Sequence, residues 1–215
     1  ELDGRSWNSQ QRWAKKDIVL VFIETDNGLV GIGEGWTPGA SPKALIQTIE
    51  DDVGPRLIGQ DPRYQTKIFA EVWETTALNA RRGILSIALS AVDLALWDLV
   101  GKALQAPVYQ LLGAYTDQVP CYASAGLYGK GKDEKALAEE MQGYLAQGFS
   151  DIKMKVGGVP LEDDVQRVKS VRDAIGTKAR LMVDANYMLN VPKALKMAHA
   201  FEPYEIYWLE APVSP

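Results

Sequence analysis

Three apolar runs each end in polar residues whose types suit proton abstraction beside a hard cation. The first run ends Ile152-Lys153-Met154-Lys155-Val156, the second Leu181-Met182-Val183-Asp184-Ala185-Asn186, and the third Tyr207-Trp208-Leu209-Glu210-Ala211-Pro212. Side chains alternate along a strand, so Lys153 and Lys155 share one face while Ile152, Met154 and Val156 share the other. Two ammonium groups on an interior face cost free energy unless they are paired or functional. Their mutual repulsion predicts a lowered pKa for at least one, which would help a lysine act as a base. An edge strand carrying two solvated lysines is the competing reading. Asp184 and Glu210 place carboxylates at equivalent positions, with Asn186 as a further oxygen donor. Oxygen donors without a thiol or imidazole beside them suit Mg²⁺. Helix capping is the plainer role for any one of these acids, and it weakens when three polar residues recur in phase.

The elements that would position these residues alternate. Strands are expected over 119–125, 151–156, 179–184 and 205–210, with helices over 133–147, 161–175 and 191–201. Gly148 and Gly176 stop the first two helices and Asn190 caps the third. Strand–helix alternation implies parallel strands with right-handed crossovers, in a doubly wound sheet or a (β/α) barrel. Barrel active sites lie at strand C-terminal ends, where Lys155, Asp184 and Glu210 fall. Before residue 115 the pattern differs. A hairpin is expected over 17–36, turning at Asn27-Gly28, followed by helices opening at Ser41-Pro42 and at Pro62 and a long one over 83–102. Gly31, Gly33 and Gly35 lie inside a strand pattern with no helix after them, which favours close backbone packing over nucleotide binding. On the long helix, Asp93 and Asp98 are expected to cap, to pair or to face solvent.

Composition narrows the class. The chain has 215 residues, a net charge of −5, 47% hydrophobic residues and one Cys. That apolar share disfavours wholesale disorder, and one Cys forms no intrachain disulfide. Mild acidity argues against a nucleic-acid partner. No uninterrupted apolar run approaches the ~18 residues of a membrane span, so neither a membrane partner nor a leader is expected, and a cytoplasmic protein is. Cys121 is expected to be a small buried residue of the first parallel strand.

The three strand ends, with Ala91-Val92-Asp93-Leu94-Ala95-Leu96-Trp97-Asp98-Leu99-Val100-Gly101-Lys102 and Gly31-Ile32-Gly33-Glu34, resemble the enolase superfamily, in its mandelate racemase and muconate-lactonising branch. The resemblance implies an α+β capping domain over 1–115, followed from 116 to 215 by a (β/α) TIM-type barrel of which about the first four strands are present. It implies that Lys155 removes a proton next to a carboxylate while Lys153 tunes it and contacts the carboxylate. It also implies that Asp184 and Glu210 are metal ligands for Mg²⁺, or Mn²⁺ in its place, with Asn186 near metal and substrate. The loops 5–13 and 36–41 would contribute to substrate choice, with Trp7 and Trp36 as pocket walls or ordinary packing. The partner is then a small-molecule carboxylate, and the reaction an acid-sugar dehydration or a racemisation. A muconate-lactonising cycloisomerase or a dipeptide epimerase is the alternative.

The family's third carboxylate and second acid/base would come from strands after Glu210, which this chain does not contain. His199, the only His, is expected on a helix away from the strand ends. A truncated chain, inactive and poorly folded alone and prone to associate through its open strand edges, is therefore also expected, and the enzyme itself is expected to be a homo-oligomer. Schiff-base chemistry at either lysine is a further alternative, requiring an apolar surround and no metal.

Overall fold

The computed structural model describes residues 6–37, 41–80 and 82–214. Loop positions 5 and 38–40, which the sequence associates with substrate choice, lie outside these, as do both chain ends. Strand β1 (Ser6–Trp7) precedes the hairpin strands β2 (Ile18–Glu24) and β3 (Val30–Trp36). The β-branched run of β2 pairs antiparallel with β3, Glu24 opposite Val30, and Gly28 takes the left-handed position of the turn (φ 83°). Helix α1 (Pro42–Thr48) follows Ser41. After a short 3₁₀ turn capped by Asp61 come α2 (Gln65–Ala80), α3 (Ile84–Leu104) and the short α4 (Val108–Leu111).

The segment Lys16–Gln118 closes its own core. One face of the hairpin packs on α3, bringing Val19 and Val21 against Ala88, Ala91 and Ala95, with Leu45, Val53, Ile68 and Val72 around them. The three glycines of β3 permit this approach. A Cβ on Gly33 would stand 1.9 Å from the Ala91 carbonyl oxygen, and one on Gly31 2.1 Å from that of Ala95. Helix α3 is long and apolar enough to cross a bilayer, a property its interrupted sequence does not suggest. It carries Asp93 and Asp98 and buries most of its length inside this core.

The second unit comprises Val119–Pro215 and the segment before Lys16. Strands β4 (Ala123–Ser124) and β5 (Tyr128–Gly129) are short; β5 pairs antiparallel with β1. Helix α5 (Glu134–Ala146), strand β6 (Asp151–Lys155), helix α6 (Leu161–Ile175), strand β7 (Arg180–Asp184), helix α7 (Val191–Phe201) and strand β8 (Ile206–Glu210) then alternate. Asp133 and Asn190 cap α5 and α7 by accepting from main-chain N–H groups. The sheet is parallel with order β4-β6-β7-β8, the first part of a (β/α) barrel. Ile152, Met154, Val156, Leu181 and Val183 form its helix-covered face with Leu137, Met141, Val168 and Phe201. Two expectations fail at the first strand. Only Ala123 and Ser124 pair, with Val119 80% exposed, and Cys121 is exposed because it precedes the paired residues.

Candidate active site

Register brings the three strand ends together. Lys155 stands opposite Asp184, and Asp184 opposite Glu210, so these residues form one row across β6, β7 and β8. The face opposite the helices carries Lys153, Lys155 and Asp184, as alternation requires. Glu210 reaches it differently. Leu181 pairs with Ile206 but Val183 with Leu209, so β8 has one residue more than β7 between these points. Strict alternation from Ile206 would turn Glu210 toward the helices; the bulge shifts the phase and returns it to the row.

Each lysine takes its own carboxylate. Lys155 Nζ lies 2.5 Å from Asp184 Oδ2, while Lys153 Nζ donates to both oxygens of Glu210 at 2.8 and 2.7 Å and to the Tyr122 hydroxyl at 3.2 Å. Asp184 is 2% exposed and Lys153 6%. Burial pulls the Lys153 ammonium down, but the Glu210 and Tyr122 contacts outweigh it and hold Lys153 above its ordinary pKa. The expectation of a lowered value is therefore not met at Lys153, because a carboxylate beside it counts for more than the second lysine. These polar surroundings also remove the apolar pocket that Schiff-base chemistry required.

Asn186 fixes Asp184 from the loop after β7. Its main-chain N–H donates to Oδ1 at 2.8 Å and its Nδ2 to Oδ2 at 3.2 Å. Asn186 and Tyr187 both have positive φ, and Ala211 repeats this after Glu210. The two loops run together, Tyr187 N–H donating to the Ala211 carbonyl and Leu189 N–H to that of Pro212. Asn186 Oδ1 is buried without a hydrogen-bond partner.

That unpartnered oxygen and the two carboxylates in register form a set of hard donors on one side of the sheet, which fits a divalent cation in kind. Among the described residues no cluster of three His, Cys, Asp or Glu side chains exists, so the set is two carboxylates and an amide. His199 is exposed on α7, beside Glu202.

Behind the row lies a buried network that sequence reasoning missed. Asp164, fully buried on α6, accepts from Tyr128 Oη at 2.8 Å, Gly157 N at 2.6 Å and Arg167 Nη1 at 2.8 Å. Arg167 also donates to the carbonyls of Lys155 and Gly126, which ties β6 to the loop after β4. Burial raises the pKa of both Asp164 and Tyr128. Trp7 stacks on Tyr128 with centroids 6.3 Å apart, and Ser9 Oγ donates to the Ala185 carbonyl at 2.7 Å. Trp7 thus belongs to the unit that holds the row, packed on Tyr128. Trp36 lies on β3 of the other unit, 46% exposed. The only sequence signal for the network is an acid and an arginine at helical spacing, which is common on any helix.

Residues 8–113 match the family model described as mandelate racemase/muconate lactonizing enzyme, N-terminal domain. Residues 136–215 match the model described as enolase C-terminal domain-like. The chain is 35% identical over 197 residues to an arabinonate dehydratase of Saccharolobus solfataricus, covering 92% of this chain and 52% of that protein. It is 36% identical over 216 residues to a D-galactarolactone cycloisomerase of Agrobacterium fabrum, covering 100% and 56%. Among solved structures, a racemase from Streptomyces coelicolor A3(2) with bound magnesium matches at TM-score 0.86 and 35% identity, over 92% of this chain and 59% of that one. The chain spans about half the length of the curated relatives it matches.

Proposed function

The chain belongs to the mandelate racemase/muconate lactonizing enzyme branch of the enolase superfamily, and on that premise we propose that it carries the proton-abstracting part of an enzyme active site. Lys155 is the base that removes the proton α to a substrate carboxylate, leaving an enolate. Lys153 contacts that carboxylate and adds positive charge beside it. Asp184 and Glu210, with Asn186 alongside, hold Mg²⁺, which Mn²⁺ can replace. The substrate class is a small acid sugar, and the outcome an acid-sugar dehydration or a racemisation. The observation that carries this reading is the row Lys155–Asp184–Glu210, with a lysine against each carboxylate.

The chemistry follows from charge. A proton beside a carboxylate is weakly acidic because its removal places a second negative charge on the same oxygens. A bound divalent cation supplies positive charge where that second charge develops. Lys153 lies two residues before Lys155 on the same face, so in this proposal one amine meets the substrate carboxyl group while the other reaches the adjacent α-proton. The relative that performs a cycloisomerisation, at 36% identity, supports cycloisomerisation as the second reading. In this proposal a second acid/base, outside the described residues, decides between the outcomes, and residues 1–215 by themselves do not turn over.

The test is exchange of the α-protons of galactarate and arabinonate with solvent deuterium, followed by proton NMR with Mg²⁺ in a protein carrying this chain. Lys155→Ala is expected to lower the exchange rate by about 100-fold or more. Exchange that survives this substitution rejects Lys155 as the base, and exchange that survives EDTA rejects the cation.

A further inference from the structure

The two carboxylates of the row are held in different ways. Asp184 is short, its side chain is buried, and its own loop fixes it through two Asn186 donors. Glu210 is longer and its side chain is 37% exposed. No main-chain N–H holds its carboxylate among the described contacts. An indole does so instead: Trp208 Nε1 donates to Glu210 Oε2 at 3.2 Å. The bulge makes this possible, since it places both residues on the sheet face away from the helices.

Trp208 is itself braced. The Tyr122 ring stands edge-on to it, with centroids 5.5 Å apart and planes at 78°. The Tyr122 hydroxyl accepts from Lys153 Nζ, and Lys153 donates to both oxygens of Glu210. Carboxylate, ammonium, phenol and indole therefore form a closed ring of contacts. Of its members, Lys153 is the positive charge that an arriving cation would repel from Glu210, whereas a neutral N–H donor meets no such repulsion. Each carboxylate oxygen has two lone-pair sites, so the indole takes one and leaves the others free.

We propose that Trp208, braced by Tyr122, is a positioning residue that sets the Glu210 carboxylate for a divalent cation. This rests on reading Asp184 and Glu210 as cation ligands. Donors that orient ligating carboxylates are typically worth 10–100-fold in metal affinity.

The experiment titrates Mg²⁺ by calorimetry into a protein carrying this chain while following the indole N–H resonance of Trp208 by NMR. The wild-type chain is expected to bind, with the Trp208 resonance moving, and Asp184→Asn to abolish both. Trp208→Phe keeps an aromatic edge for Tyr122 but removes the donor; it is expected to bind about tenfold more weakly with its melting temperature retained. Binding of Trp208→Phe within twofold of wild type overturns the positioning role and leaves the cation reading intact. No wild-type binding, or binding indifferent to Asp184→Asn, overturns the cation reading and the proposal with it. Where Trp208→Phe fails to fold, Tyr122→Leu decides. This variant removes the ring that stands edge-on to the indole and leaves the Trp208 donor in place. A threefold or greater loss of affinity supports the brace, and unchanged affinity overturns it.

Discussion

Asp93 and Asp98 share helix α3 and meet opposite environments. Asp98 accepts from the Ile32 main-chain N–H at 2.8 Å and from Lys102 Nζ at 2.7 Å. Partial burial works against its charge, but these partners outweigh it and lower its pKa. That is the pairing role expected of it. Asp93 fits none of the roles expected for it. It lies against Leu57, Ile68, Phe69 and Leu96, and burial raises its pKa. Folding therefore disfavours its charged form. Because the folded-state pKa exceeds the unfolded value, the penalty is fully present at neutral pH. It fades as the pH falls through the folded value toward the unfolded one. Asp93→Asn, which keeps the shape without the charge, is expected to raise the melting temperature at pH 7 by a few degrees. The gain should shrink toward zero at pH 4. Scanning calorimetry at both pH values checks this, and an equal gain at both would trace the effect to packing instead.

At the scale of elements, alternation and packing explain what the sequence discloses and what it conceals. Lys153, Lys155 and Asp184 follow strict alternation from residues that pack under helices, so their common face is readable from spacing alone. Glu210 is not readable that way, since its place depends on an extra residue in β8 whose signal is absent from Ile206-Tyr207-Trp208-Leu209-Glu210. Its place at the C-terminal end of the strand is readable from the pattern, and the face it presents is not. The Asp164 network is equally hidden, because it joins an N-terminal strand, a loop after β4 and a helix far apart in the chain. The glycines of β3 sit between these cases. Their strand context points to close packing, but only the structure identifies Ala91 and Ala95 of α3 as the partners. Gly33→Ala is expected to destabilise the hairpin–α3 core by about 3 kcal/mol, as overpacking does at a tight contact. Gly28→Ala meets no atom within 4 Å and faces only the cost of its positive φ, so about 1 kcal/mol is expected there. Urea midpoints of the two variants check the order; a larger loss at Gly28 would refute the close-approach account.

At the scale of the whole molecule, two cores form from separate sets of residues, one around α3 and one between β6, β7, β8 and their helices. Arg172 shows how the second is tied at the end away from the row. Its guanidinium donates to the carbonyls of Tyr204, Gly176, Ala179 and Glu205, joining α6 to the starts of β7 and β8. The sheet these ties support has β4 on one side and β8 on the other, and among the described residues neither edge has a further partner. The β8 edge carries Tyr207, 55% exposed, and the segment before β4 carries exposed Val119. Open parallel edges with apolar residues beside them present unpaired N–H and C=O groups to other chains. Self-association of residues 1–215 is therefore expected, with β8 as the main edge because it is longer than β4. Sedimentation velocity over a hundredfold concentration range should show the weight-average mass rising. Replacing Tyr207 with Lys, which charges the β8 edge without touching Glu210, should return the chain toward monomer. A chain that stays monomeric throughout, or a Tyr207→Lys variant that associates as readily as wild type, would mean that the β8 edge is not where copies meet.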